Sequence, residues 1–196
     1  ASPLEDVPVP APAPGEVLVR VHCASLNPVG WKLADGKFRF LVKGGLPRTM
    51  GSDFAGEIAA VGAGVEGSAQ GEPVMGFIDP FARAPGTFAE FVPVPVEFVF
   101  RRPEALDAVF GAALPCVGVT AVALCDHGQV GRGSRVLVNG AAGGVGHMAV
   151  QVAKARGAHV TAVASAGRRH FVTVLGADAF IDYRAEPLEQ WPAGFD

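Results

Sequence analysis

The sequence predicts an α/β chain in two parts, an all-β half followed by one half of a doubly wound parallel sheet. Three observations predict it. Up to about Phe100, short alternating runs are separated by Gly and Pro. From about Pro103 the apolar spacing turns helical. Beyond Arg135 the elements alternate strand, helix, strand, helix, strand, which is one βαβαβ unit with right-handed crossovers.

In the first part, residues 16–22 alternate as a half-buried strand does, and residues 56–62, 72–77 and 88–94 give three more. Short strands with turn residues between them suggest a small barrel or sandwich. In the second part, Pro115 suits the first turn of a helix, where its missing N–H costs nothing. Val119, Val122 and Ala123 follow at helical spacing. Residues 135–139 form a continuous apolar strand of the kind buried on both faces of a parallel sheet. After a glycine-rich turn, Val145, Met148, Ala149, Val152 and Ala153 make an apolar stripe that Gly157 ends. Residues 159–164 are the next strand, 168–175 the next helix and 179–181 a third strand.

Composition excludes several classes. A net charge of -3 over 196 residues leaves no basic field for nucleic acid or anionic lipid. Cys23, Cys116 and Cys125 lie far apart, which excludes a disulfide scaffold or zinc ribbon and favours a reducing cytoplasm. Residues 1–13 lack the basic flank and apolar core of a signal peptide. The uncharged run 108–125 approaches the ~20 residues of a spanning helix, but Gly111, Pro115 and Gly118 interrupt it, and burial in a soluble fold is expected.

The turn Gly140-Ala141-Ala142-Gly143-Gly144-Val145-Gly146 follows a strand and opens a helix. It meets G-x-G-x-x-G with Ala141 at the first glycine, then Gly143 and Gly146. Such glycines let backbone approach a pyrophosphate, and the helix N-terminus offers N–H groups and partial positive charge to it. The alternative is a tight turn without a ligand. An NAD site usually carries an acidic residue about 20 positions on, whereas arginines and hydroxyls suit a 2′-phosphate. No Asp or Glu stands between Gly146 and Gly176, and Ser165, Arg168 and Arg169 are there instead, so NADPH is the expected cofactor.

Four segments then resemble the zinc-independent quinone oxidoreductases, the zeta-crystallin-like group of the medium-chain dehydrogenase/reductase superfamily. Ser25-Leu26-Asn27-Pro28-Val29-Gly30-Trp31-Lys32 is similar to N-P-V-D-W-K, and Gly51-Ser52-Asp53-Phe54-Ala55-Gly56 to G-x-D-x-A-G. Leu114-Pro115 with Gly118-Val119-Thr120-Ala121 resembles L-P-x-x-G-x-T-A, and residues 138–146 resemble V-x-G-A-A-G-G-V-G. The resemblance implies a GroES-like catalytic domain over residues 1–102 and a Rossmann cofactor domain over 103–196. The first strand and C-terminal return of the one, and the second half of the other, are expected to be missing. It implies a small-molecule substrate and is compatible with a homodimer.

The resemblance also assigns roles. The superfamily's zinc enzymes bind zinc through Cys, His and Glu or Cys; here Asn27 and Ser52-Asp53 stand in those places, so no metal is expected. Hydride transfer to a quinone or α,β-unsaturated carbonyl then needs hydrogen bonding to the developing oxyanion. Asn27 is the candidate to contact substrate or its bound water, the alternative being a turn residue before Pro28. Thr120 is the candidate for the nicotinamide carboxamide and Tyr183 for the 2′-phosphate. Gly30 departs from the family's Asp. The rival readings are an enoyl thioester reductase and a non-catalytic NADPH-binding structural or regulatory protein.

Overall fold

The computed structural model describes residues 4–41, 49–81 and 85–196; the first three residues of the Pro-rich start lie outside them. It divides into two compact units, Ala1–Cys116 and Val117–Asp196.

In the first unit, alternating apolar runs build a five-stranded antiparallel sheet from β1 (Glu16–Ala24), β2 (Asp53–Val61), β3 (Pro73–Phe77), β4 (Phe91–Pro95) and β5 (Val99–Arg101). Their order is β4-β1-β2-β3-β5. Pro93 and Pro95 fall on the edge strand β4, and Pro73 opens β3, the positions where a missing N–H breaks no ladder. Val17, Val19, Phe54, Ile58, Val74, Ile78, Val92 and Val94 form the core. Two register shifts bend β1 against β2, between Leu18 and Val19 and between Val21 and Cys23. Gly56 lies opposite this bend, where any Cβ would collide with the Arg20 carbonyl oxygen. The strands begin and end within a few residues of the spans read from sequence, and β5 was not anticipated, being only three residues long.

Two short helices were also not anticipated. α1 (Pro28–Ala34) starts on Pro28. α2 (Ala108–Ala113) is capped by Asp107, whose carboxylate accepts the Phe110 N–H at 2.9 Å. α3 (Pro115–His127) begins on the proline expected to open it. The uncharged run is therefore split at Leu114, and among the described residues no helix is long and apolar enough to cross a membrane.

In the second unit, β6 (Arg135–Asn139), β7 (His159–Ala164) and β8 (Ala179–Asp182) form a parallel sheet in the order β6-β7-β8. α4 (Gly144–Ala155) follows β6, and a 3-10 turn leads into α5 (Arg169–Val174) after β7. Gly157, at φ +84°, turns the chain out of α4 as its sequence position predicts. Ala149 and Ala153 of the α4 stripe are buried with Val160, Ala162 and Val172, and Val145, Met148 and Val152 pack half-buried against them; Val150, which the spacing does not place in the stripe, is buried as well. The α3 stripe differs. Val119 and Val122 are 43% and 42% exposed, while Ala121 and Cys125 are buried. Helical spacing located the helix, but two apolar faces competed there and the smaller residues lie inward.

Asp178 ties this unit together. Its carboxylate accepts the Val160 N–H at 2.7 Å and takes Lys154 Nζ at 2.8 Å on both oxygens. Burial pushes its pKa up, but the Lys154 and Val160 hydrogen bonds and nearby positive charge outweigh that and hold it below its usual range.

Candidate functional site

The first polar cluster forms where β1 ends and β2 begins. Asp53 opens β2 just before the buried Phe54 and Ala55, and it is 1% exposed. Its Oδ1 accepts the Cys116 backbone N–H at 2.7 Å, and its Oδ2 accepts Ser25 Oγ at 2.8 Å and Asn27 Nδ2 at 2.5 Å. Asn27 Nδ2 also donates to Ser25 Oγ at 3.2 Å. Burial raises the Asp53 pKa, opposed by the hydrogen bonds from Ser25, Asn27 and the Cys116 amide. A buried carboxylate needs such donors, since an unpaired charge there is costly.

Asn27 occupies the N-cap position of α1 with extended backbone, φ -115° and ψ 148°, yet its side chain makes no capping hydrogen bond. An N-cap Asn usually accepts an N–H of the first turn, worth about 1 kcal/mol. Here the side chain is turned to Asp53 instead. The side chain is thus committed to the Asp53 cluster rather than to the first turn of α1.

Gly30 has nothing within 4 Å of where a Cβ would project. It lines a small cavity with Leu33, Met50, Gly51, Ser52 and Pro80, so the space beside it is open rather than filled core.

The second cluster lies at the carboxyl ends of the three parallel strands. Gly140 adopts φ +73°, a left-handed turn open to glycine. The Ala141 N–H donates to Val163 O at 3.0 Å and the Gly143 N–H to Gly140 O at 2.9 Å, so these two amides shape the turn. Gly143 is the N-cap of α4, and the first helical bond runs from the His147 N–H to Gly143 O at 3.0 Å. The N–H groups of Gly144, Val145 and Gly146 thus lack an intrahelical partner. No acidic side chain lies in this first turn and no side chain caps it. Gly146 serves packing instead. A Cβ there would strike the Gly140 carbonyl oxygen, so this glycine lets α4 pack against the strand end. The donors and open backbone fit a pyrophosphate.

Ser165 follows β7 directly and caps the 3-10 turn, with the Arg168 N–H on its carbonyl at 2.8 Å. Arg168 and Arg169 are exposed, and among the described residues neither has a carboxylate partner. The Arg169 guanidinium stacks over Phe180 at 4.4 Å. Tyr183 follows β8, is 50% exposed, and carries Arg184 over its ring at 5.6 Å. The fold thus gathers the glycine turn, Ser165, Arg168, Arg169 and Tyr183 on one end of one sheet. Thr120 sits half-buried on α3, one turn after Val117, whose Cγ1 lies 3.3 Å from the Cβ position of Gly144. Asn27 belongs to the other unit.

Sequence reasoning missed Asp53 and Ser25 as members of a site. Two signals were available: a carboxylate at the head of β2 directly before Phe54, Ala55 and Gly56, and the resemblance, which sets Asn27 and Ser52-Asp53 in the places of ligands to one zinc ion.

Residues 13–104 match the family model of the alcohol dehydrogenase GroES-like domain, and residues 144–194 match that of the zinc-binding dehydrogenases. The chain is 39% identical over 184 residues to the chloroplast envelope quinone oxidoreductase homolog of Arabidopsis thaliana, covering 91% of this chain and 55% of the relative. It is 36% identical over 196 residues to the mitochondrial NAD(P)H oxidoreductase RTN4IP1 of Homo sapiens, covering 90% and 48%. The solved quinone oxidoreductase of Coxiella burnetii superposes with a TM-score of 0.90 at 35% identity, over 99% of this chain and 62% of that one. The chain spans about half the length of the curated relatives it matches.

The second family model carries zinc in its name, and the residues present do not fit that ion. The Asp53 cluster offers one carboxylate whose oxygens already take three protein donors, with a hydroxyl and an amide as neighbours. Among the described residues no group of three His, Cys, Asp or Glu could hold a metal.

Proposed function

We propose, for a chain that belongs to the quinone oxidoreductases of the medium-chain dehydrogenase/reductase superfamily, an NADPH-dependent, zinc-free transfer of hydride to a quinone or α,β-unsaturated carbonyl. The catalytic part is residues 1–102 and the cofactor part residues 103–196. NADPH, when bound, supplies the hydride. The free N–H groups of Gly144, Val145 and Gly146 hold its pyrophosphate, with Gly140, Ala141 and Gly143 keeping the backbone close. Thr120 meets the nicotinamide carboxamide, and Ser165, Arg168, Arg169 and Tyr183 surround the 2′-phosphate. Asn27 meets the substrate or its bound water. Conjugation already polarises the accepting carbon, so what the protein adds is orientation and hydrogen bonding to the oxygen that gains charge. No disulfide joins Cys23, Cys116 or Cys125, in keeping with a reducing compartment such as the cytoplasm.

One observation carries the cofactor reading: an uncapped helix N-terminus at the end of β6 stands beside a β7 terminus that bears Ser165 and two arginines without carboxylate partners among the described residues. The test is a titration of NADPH and NADH with Arg168→Ala/Arg169→Ala. Preference for NADPH should fall at least tenfold, since charged hydrogen bonds are each worth about 1.5–3 kcal/mol. Unchanged preference would overturn the assignment. Reduction of enoyl thioesters without reduction of free quinones would give the site to an enoyl reductase instead.

A further inference from the structure

We propose that Asp53 is a positioning residue that, together with Ser25, locks the Asn27 side chain so that its carbonyl oxygen, and not its N–H group, is what the site offers. The inference deepens the reading of Asn27 as the substrate-side residue and rests on it. The geometry is specific. The Asn27 amide has two N–H hydrogens, and two acceptors stand at its nitrogen, Asp53 Oδ2 at 2.5 Å and Ser25 Oγ at 3.2 Å. Ser25 uses its own hydrogen on Asp53, at 2.8 Å, which leaves its lone pair for Asn27. Among the described residues nothing donates to Asn27 Oδ1. Rotating the amide by half a turn would set Oδ1 against the carboxylate oxygen, two acceptors facing each other with no proton between them. The side chain has also given up the capping bond that its N-cap position offers, so local helix energetics do not explain its direction. Asp53 is in turn held by the Cys116 N–H at 2.7 Å, which fixes the carboxylate from its far side.

The consequence is chemical. A locked amide carbonyl accepts, so it recruits a donor: a water molecule or a hydroxyl of the bound molecules. A water held there by one hydrogen keeps its second for the substrate oxygen that gains negative charge. Asn27 therefore acts on that oxygen through the water rather than by donating to it directly.

Asp53→Asn tests this without emptying the space. The new amide keeps a carbonyl for the Cys116 N–H only by presenting its NH2 to Asn27, which must then turn its own carbonyl inward and its N–H outward. With this variant kcat should fall at least about tenfold, in line with the cost of misplaced groups, while KM for NADPH stays unchanged. The exchanged pair Asn27→Asp/Asp53→Asn returns an oxygen acceptor to the open side and should recover most of the lost kcat. A second readout needs neither cofactor nor substrate. Side-chain amide hydrogen exchange by NMR should find the Asn27 NH2 protected in the parent chain and solvent-accessible in Asp53→Asn. Equal exchange in the two proteins, or an exchanged pair no better than Asp53→Asn, would overturn the proposal. A protected amide in a protein that reduces no quinone or enone would sink the functional reading alone and leave the lock standing.

Discussion

Two glycines of one turn are expected to fail in opposite ways. A Cβ at Gly146 would strike the Gly140 carbonyl oxygen and lie 2.8 Å from the Gly140 carbonyl carbon and 2.9 Å from Ala141 Cα. All three are backbone atoms, so no rotamer change relieves the contact, and the end of β6 must move away from α4. Overpacking of this kind costs about 1–3 kcal/mol, and it exceeds the roughly 0.5–1 kcal/mol that alanine gains over glycine in a helix. At Gly143 the nearest atom to a Cβ is the Gly140 oxygen at 3.2 Å, and φ is an ordinary -82°. Gly143→Ala should therefore cost stability only about 0.5–1 kcal/mol, the margin by which glycine caps better than alanine. Its methyl group instead stands on the exposed approach to the helix end. Urea melts followed by circular dichroism should show Gly146→Ala less stable by about 2 kcal/mol, the upper end of overpacking less the gain of alanine in a helix, and Gly143→Ala by only about 0.5–1 kcal/mol. Calorimetric titration should show Gly143→Ala binding NADPH about tenfold more weakly or worse, the effect of some 1.4 kcal/mol of steric exclusion. A Gly146→Ala chain as stable as the parent, or a Gly143→Ala chain with parental affinity, would refute the division of labour.

Two further outcomes concern stability. Gly56→Ala sets a Cβ against the Arg20 carbonyl oxygen at the β1/β2 bend, so the first unit should lose about 1–3 kcal/mol in the same melts. Asp178→Ala strands the buried Val160 N–H, while Lys154 keeps the Ala158 carbonyl, a loss of roughly 1–3 kcal/mol. Because the native Asp178 pKa lies below its ordinary 3.8, its contribution is fully present above that value and disappears as pH falls through the native one. The parent should thus lose more stability than Asp178→Ala on acidification below about pH 4; parallel melts across that range would rule this out.

Much of this fold was legible because its signals are local. The strands β6 and β7 fall on the residues that their apolar runs name, and α4 starts and stops where its glycines require. Pro115 opened α3 as expected, yet the face that α3 buries was not legible. Gly118, Ala121 and Cys125 form one stripe and Val119, Val122 and Ala123 another, and only the neighbouring elements decide between them. β5 and α2 are too short for any period to show. The same distinction separates the two polar clusters. A phosphate turn is a backbone device written in consecutive residues, so its glycines declare it. The Asp53 cluster is assembled across gaps of 26, 28 and 63 positions from a strand, a helix cap and a backbone N–H. Spacing alone does not state that Ser25, Asn27, Asp53 and Cys116 meet; only the resemblance, which sets Asn27 and Ser52-Asp53 in the places of ligands to one zinc ion, brings two of them together. What the sequence does state is that a carboxylate stands directly before the apolar start of β2, Phe54-Ala55-Gly56. A buried charge must be met by donors from elsewhere in the chain, and Asn27, an N-cap residue that leaves its own helix uncapped, is one of those that answer it.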